Sequence, residues 1–288
     1  MNYKISYGLS LMSAFCILFI SCSVAKADNQ PEIERTINID KNFTGLHATT
    51  IFDITYTQNS SDPVAILTGP KNLVDKVEFT INSDGILKFS INVKSLNNAP
   101  RISVCLNGGA LNCFEASSSG TLNVTTPIDT DKLLNIDASS SGEIVIQKGI
   151  NAKGKTNLSA SSSGEINLQD VVSSILYAES SSAGDIFINN CLTSKINTES
   201  SSSGAIRFNQ CFTDSFSANV SSAGNIQVSG CEIKTLNCEA SSAGSASFSG
   251  RADKGSFEAS SEANIQINNL QLQNLISLET SSGGRIQK

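Results

Sequence analysis

The stretch DASSSGEIVI at residues 137–146 is one of nine versions of a single sequence motif between Glu115 and Lys288. Each version has a small residue, a Ser-rich triplet, a pivotal Gly (Ala in one version) and then mostly apolar residues at every second position. Successive versions are 19 to 22 residues apart, a regularity typical of architectures in which each repeat packs on its neighbours. The pivotal positions are Gly120, Gly142, Gly164, Gly184, Gly204, Gly224, Gly244, Ala263 and Gly284.

Alternation on both sides of each pivotal Gly predicts strands with one face inward. Ile166 and Leu168 flank Asn167 after the Gly, and Leu176 and Ala178 flank Tyr177 before the next one. A third apolar position recurs about seven residues after the Gly, at Val171, Cys191, Cys211, Cys231 and Leu270. The sequence therefore predicts an all-β, single-stranded β-solenoid (β-helix) of about 20-residue coils with Ser-rich Gly corners. Nine coils stacked at about 4.8 Å predict a rod about 43 Å long.

The Ser-rich corners are interpreted as structural. Stacked corners accommodate only small side chains, and we expect the Gly to supply a positive φ and the Ser hydroxyls to bond along the stack or to the corner backbone. A catalytic Ser needs a base within reach, and the single His, His47, lies outside the repeats. No catalytic, cofactor-binding or metal-binding residue is predicted, and no cofactor.

Residues 1–27 are predicted to be a signal peptide. Lys4 precedes the apolar stretch 8–20, which is too short for an ordinary transmembrane helix. Two cleavage sites remain open: after Ala27, or before Cys22, which would then be lipidated. Either predicts export by a bacterium to the periplasm, outer membrane or cell surface. Cleavage after Ala27 removes Lys4 and Lys26 and no acid, so the net charge changes from −6 to −6 − 2 = −8.

Residues 28–114 are predicted to be a β-rich N-terminal cap or the first, irregular coils, ahead of the repeat solenoid at 115–288. Alternation recurs at 52–57 and 87–94, and a turn at 83–85 predicts a hairpin. The open end of a solenoid is an unpaired sheet edge that needs a cover. For the C-terminal end the sequence leaves three covers open: an N-terminal strand, a partner or a second copy.

The segment NFTGLHATTIFDITYTQ at residues 42–58, with DGILKF at 84–89 and the Ser-Gly-x-Ile repeats, resembles the putative auto-transporter adhesin, head GIN domain family of bacterial envelope proteins. The resemblance covers roughly residues 36–288. It implies an exported β-solenoid and carries no catalytic residues to this chain. The corners here are more numerous and more uniform than the family pattern.

The cysteines allow two sites to be considered. Cys105 and Cys113 flank a Gly pair, and a short disulfide between them is predicted in an oxidising compartment. Cys191, Cys211 and Cys231 stack in successive coils, which is compatible with a disulfide or a soft-metal site. Because Val171 and Leu270 occupy the same column, an internal ladder of small apolar side chains is the favoured interpretation.

Most of the residues five positions before the pivotal Gly are acidic, and together they form a column. It contains Glu115, Asp137, Ser159, Glu179, Glu199, Asn219, Glu239, Glu258 and Glu279. Alternation places all of them outward. Carboxylate columns can bind Ca²⁺, but the nonapeptide pattern of calcium-binding β-rolls is missing. Surface charge that discourages association is the favoured interpretation.

The leading function predicted from the sequence is a non-enzymatic envelope module for adhesion or surface interaction, with an unknown protein or glycan as partner. A periplasmic assembly module that pairs through its open solenoid end, with a second copy as one possible partner, is the alternative. A glycan-active enzyme is the third, and it is disfavoured because the acids are spread evenly along the rod rather than paired. The acidic charge argues against nucleic acid, and a lipid on Cys22 is the only predicted membrane attachment.

Overall fold

The repeats fold into stacked coils of parallel strand, which confirms the predicted β-solenoid. The computed structural model describes residues 31–59, 62–93, 95–96 and 98–288; the predicted signal peptide, with Lys4 and Cys22, lies outside these residues. Adjacent coils pair in register, so that Ile166 lies on Ile186 and Leu176 on Ile196. The pairing is interrupted at Gln169 and again at Ser174, and each coil therefore consists of three straight segments joined by bends.

Twenty strands and one four-residue helix are described. The strands are β1 (Glu32–Asn38), β2 (Gly45–Thr49), β3 (Phe52–Gln58), β4 (Val64–Pro70), β5 (Val77–Ile81), β6 (Ile86–Ile91), β7 (Ile102–Gly108), β8 (Cys113–Ser117), β9 (Thr121–Val124), β10 (Ile128–Thr130), β11 (Leu134–Ala138), β12 (Glu143–Ile146), β13 (Ile150–Ala160), β14 (Glu165–Ser180), β15 (Asp185–Ser200), β16 (Ala205–Val220), β17 (Asn225–Ala240), β18 (Ser245–Ala259), β19 (Asn264–Thr280) and β20 (Arg285–Gln287). The helix is α1 (Lys71–Val74).

The N-terminal layers are not stacked in sequence order. β2 pairs in parallel with β6 on one side and β8 on the other, and β3 lies likewise between β7 and β9. The layer formed by β6 and β7 is therefore outermost, although it follows β2 and β3 in the chain. The predicted boundary between residues 114 and 115 falls inside β8.

Antiparallel strands cover this N-terminal end. β4 pairs antiparallel with β7, β1 pairs antiparallel with β4, and β5 forms the predicted hairpin with β6. Arg35 on β1 donates to the carbonyl oxygens of Val74 and Val77, each at 3.0 Å. The outermost coil is thus closed off by strands that cannot continue the parallel stack.

The core is a set of inward columns, one side chain per coil. The predicted positions two and four residues after the Gly are buried, as at Ile206 and Phe208. Inward Phe rings contact one another within and between coils: the centroids of Phe208 and Phe216, both on β16, are 5.6 Å apart, and those of Phe216 and Phe248 on β18 are 6.0 Å apart. A further inward column, nine residues after the Gly, is partly polar and includes Thr193.

The expectation that the pivotal Gly supplies a positive φ is wrong. In the corner Ser139–Gly142, φ is +49° at Ser140 and +64° at Ser141, and Gly142 does not have a positive φ. The Gly142 N–H donates to Ser139 O at 2.8 Å, the pattern of a type I′-like turn. Gly is required for a different reason: a Cβ there would lie 2.3 Å from the carbonyl carbon and oxygen of Ala116 in the preceding coil.

Corner backbone groups bond between layers, largely without help from the hydroxyls. Ser141 N donates to Ser162 O at 3.1 Å, and Ser139 N donates to Ala116 O at 2.9 Å. Hydroxyl bonds to the corner backbone occur at the buried Ser180 and Ser200, whose Oγ atoms donate to Gly184 O and Gly204 O. The exposed Ser hydroxyls of the corners therefore form a polar edge along the rod.

The C-terminal end is built differently. β20 pairs with only three residues of β19, Asn264–Gln266. Among the described residues, no strand pairs with the far edge of β19 from Ile267 to Thr280. Leu275 and Ile276 are 44 % and 61 % exposed there. β1 lies at the other end of the stack, so this described N-terminal strand does not provide the cover that the sequence left open.

Candidate functional site

The acidic column faces outward, as alternation predicts. Together with the first Ser of each corner it lines a groove of about 460 Å³, which we call the Ser groove: Glu179, Glu199, Asn219, Glu239 and Glu258 with Ser201, Ser221, Ser241 and Ser260. The groove crosses five layers, and in-register stacking repeats similar groups in each of them. It offers carboxylates and hydroxyls to a ligand at the spacing of the strands, about 4.8 Å.

At its N-terminal end the same column contains a constellation that the sequence reasoning missed. His47 pairs in register with Lys88 on one side and Glu115 on the other. Its Nε2 lies 2.8 Å from Ser117 Oγ, and its Nδ1 lies 3.4 Å from Glu115 Oε2. The expectation that no corner Ser has a base within reach is therefore wrong for Ser117.

The order Ser, His, carboxylate is that of a nucleophile, a base and its orienting group. Burial lowers the pKa of His47, while the Glu115 charge opposes this shift, so the imidazole is largely neutral at pH 7. Three nearby backbone donors, however, are already used: Thr50 N and Gly120 N donate to Ser117 O, and Ser119 N donates to Ser140 O. These three donors are not free to stabilise a developing oxyanion. Stabilisation of that charge is usually the largest single contribution to catalysis. We call these three side chains the polar clamp, because they join β2 to β8 in the adjacent layer.

A second feature missed from the sequence is an apolar patch on the flank. Val172, Leu192 and Phe212 lie in register on three successive layers and are 42 %, 56 % and 38 % exposed. We call this set the apolar stripe. Its signal was present in the sequence. Counted from the Gly, the inward residues are the second and fourth and then the seventh and ninth. The eighth residue lies between two inward residues and therefore faces outward.

Charged residues border the apolar stripe at its C-terminal side. Glu232 and Arg251 continue the same column. Lys234 Nζ lies 2.5 Å from Asp214 Oδ1 in the adjacent outward column. Leu192 and Phe212 share a groove of about 390 Å³ with these side chains. An apolar centre beside a charged rim is the anatomy of a protein–protein interface.

Both sets of cysteines are described. Cys191, Cys211 and Cys231 are buried free thiols in register, which supports the internal ladder. Burial raises the pKa of Cys191 to about 12 and that of Cys231 to about 11, so both remain protonated. Cys105 lies outward on β7. Cys113 is a free thiol at the start of β8, 3.6 Å from Glu115 Oε1. The disulfide between these two residues stays a prediction.

No group of three or more His, Cys, Asp or Glu side chains in the described part of the chain is arranged to hold a metal ion. Within that same part, no helix is long and apolar enough to cross a membrane.

These features define a class of protein: a capped β-solenoid that presents polar ladders and one apolar stripe on its flank. The family model described as putative auto-transporter adhesin, head GIN domain, matches residues 42–231 and 210–287. The matches span most of the chain, and the protein therefore belongs to this family, as its sequence predicted.

Solved structures share the fold at low identity. A putative adhesin from Parabacteroides distasonis has a TM-score of 0.62 at 15 % identity, covering 88 % of this chain and 98 % of that one. A putative adhesin from Parabacteroides merdae has a TM-score of 0.59 at 18 % identity, with 90 % and 96 % covered. A putative lipid binding protein from P. distasonis has a TM-score of 0.58 at 18 % identity, with 90 % and 97 % covered. No curated protein matches the chain.

Proposed function

We propose that this protein is a non-enzymatic, exported module of the bacterial envelope that binds a partner through the flank of its solenoid. The family's description indicates a surface-interaction role. The observation that carries the proposal is the apolar stripe, because three adjacent outward positions are apolar on a flank otherwise rich in Ser, Asn and charge. Clustered exposed apolar side chains with a polar rim are typical of binding surfaces.

The stripe favours a protein partner over a glycan. Leu192 and Val172 are aliphatic and offer no ring on which a sugar could stack. Phe212 supplies an aromatic anchor of the kind that dominates protein interfaces. The ion pair between Lys234 and Asp214 lies at the rim, where charge contributes more to orientation and association rate than to affinity.

A non-enzymatic role is supported by the Ser117 environment. The base and the carboxylate are in place, but two backbone donors of the corner, Ser119 N and Gly120 N, already bond to Ser140 O and Ser117 O. The remaining carboxylates of the column are distributed along the rod with at most one in each layer. The carboxylate column therefore does not gather an acid and a base around one reacting atom.

The binding proposal is tested with the exported full chain on immobilised extracellular proteins and polysaccharides. We expect binding to a protein surface, and a double Leu192→Ser, Phe212→Ser variant should bind at least about tenfold more weakly. Phe187→Ser is the matched control, since Phe187 is 37 % exposed on a different segment of the coil. Far-UV circular dichroism confirms that each variant folds. Equal loss in the control, or full binding by the double variant, contradicts the proposal.

The proposed export of the protein is tested separately. Mass spectrometry of the protein from cells should show an N-terminus at Asp28, or at a lipidated Cys22. A chain that retains Met1 would contradict export.

A further inference from the structure

We infer that the C-terminal end of the solenoid is a self-association surface, on which two copies of this chain pair tail to tail as a closed two-fold dimer. This inference does not depend on binding through the apolar stripe, which lies on the flank. It rests on the exposed edge of β19, on the composition of that edge and on the closure of the opposite end.

The far edge of β19 is long, and among the residues that the structure describes only β20 pairs with it. Soluble proteins protect exposed edges by keeping them short or by placing charged residues or Pro on them. β19 is 17 residues long and has neither device along most of its length, because residues 264–278 contain no charged residue and no Pro. In the coil beneath, β18 carries Arg251, Asp253, Lys254 and Glu258. The loss of charge is therefore confined to the layer whose edge is open.

The described part of the chain also covers the inward columns incompletely at this layer. Leu270, Leu272 and Leu278 continue columns that are buried in lower coils, yet they are only partly buried. Leu275 and Ile276 are more exposed still. A partner on this end gains both backbone hydrogen bonds along the edge and burial of apolar surface.

The opposite end determines which partner fits. Head-to-tail stacking would place β19 of one copy on the outermost strands of the next. Those strands are β1 and β5, which lie antiparallel to their neighbours, and β1 carries Glu32, Glu34 and Arg35. An open filament is therefore disfavoured, and the uncharged C-terminal edge of a second copy is the matching surface.

Two such ends fit each other geometrically. The last coil is a ramp, because β20 stands one layer above Asn264–Gln266 and the intervening segments rise to meet it. A two-fold axis perpendicular to the rod reverses the chain direction and preserves the hand of the ramp. The two ramps then meet along their length with their strands antiparallel, and the same patch is used by both copies.

The interface places few charges together. Glu279 is the only charged residue of β19, and Arg285 and Lys288 follow the last corner. Self-pairing of the uncharged stretch 264–278 therefore opposes no like charges.

Multi-angle light scattering of the exported full chain tests the inference. We expect twice the monomer mass at micromolar concentration. Ile276→Lys should weaken the dimer at least about tenfold, since it places a cation in the apolar interface. Ile66→Lys is the matched control, because Ile66 is 40 % exposed on β4 at the closed end. This control, and Phe212→Ser on the flank, should both stay dimeric.

Small-angle X-ray scattering establishes the arrangement. A tail-to-tail dimer has roughly twice the maximum dimension of the Ile276→Lys monomer and the same cross-section, whereas pairing through the flank widens the cross-section. Four results overturn the inference: a wild-type monomer at all concentrations, whether its edge is open or covered by residues 1–30; a complex with a different protein in place of a second copy; a mass that grows beyond the dimer; or dissociation by Ile66→Lys.

Discussion

The two ends of this solenoid solve the edge problem in opposite ways. At the N-terminal end the chain inserts β2 and β3 between two other layers and then covers the outermost layer with antiparallel strands. The last of these, β1, is seven residues long and carries three charges. At the C-terminal end, β19 has 17 residues and one charge, and no described strand pairs with its far edge beyond Gln266.

The difference shows that the residues that make the coils regular are not the residues that close an end of the stack. The repeats make every coil equivalent, so that each coil can receive another one. Closure requires residues that break the repeat, and in this chain these lie before Glu115. The C-terminal coil keeps the repeat but carries a single charge on β19, and this composition is what the inferred pairing of two copies requires.

The largest expected effect comes from substitutions of two pivotal glycines with nearly the same local clash. A Cβ on Gly164 lies 2.1 Å from Ala138 O, and a Cβ on Gly284 lies 2.2 Å from Ala259 O. Gly164→Ala must displace backbone between fixed coils and should cost roughly 3 kcal/mol. Gly284→Ala should leave global stability nearly unchanged, because the final turn can open locally. Urea denaturation followed by circular dichroism measures both.

Equal destabilisation by the two substitutions would contradict this contrast between the ends. It would show that the last coil is held as firmly as the middle ones. No loss in Gly164→Ala would instead contradict the explanation of the corner glycines by close backbone approach.

A smaller effect is expected at the closed end on acidification. The pKa of His47 is lowered, chiefly by burial, from the ordinary value of 6.5. The unfolded chain therefore binds a proton more readily than the folded one. His47 contributes full stability above pH 6.5, and this contribution is lost as pH falls below that value. His47→Gln should reduce the drop in urea midpoint between pH 7.5 and pH 5.5. The same drop in both proteins would show that His47 has no such role.

The coils could be predicted from the sequence because each inward position recurs in many repeats. Ile166, Ile186, Ile206 and Ile226 carry the same information, and an error at one coil is corrected by the others. The order of the first layers was beyond sequence reasoning. It depends on pairings such as Gly45 with Cys113, which join residues far apart in the chain and have no local signal.

The polar clamp shows the same limit. His47 and Ser117 are 70 residues apart, and only the stacking of β2 on β8 brings them together. The role of the pivotal Gly was misassigned for a related reason. A positive φ is a local explanation, whereas the actual constraint is the carbonyl of the preceding coil. The exposure of Phe212, by contrast, was predictable from its own coil, because Phe212 lies between the inward residues Cys211 and Thr213.

Hydrogen exchange followed by mass spectrometry tests the contrast between the ends most directly. Peptides covering β1 with β4 and peptides covering β19 are compared in the exported full chain across a range of protein concentrations. The closed end should be protected equally at every concentration. Protection of β19 should be weak at nanomolar concentration and should rise as the chain pairs. Strong protection of β19 at the lowest concentration would contradict an open edge, and protection that stays weak throughout would contradict its pairing.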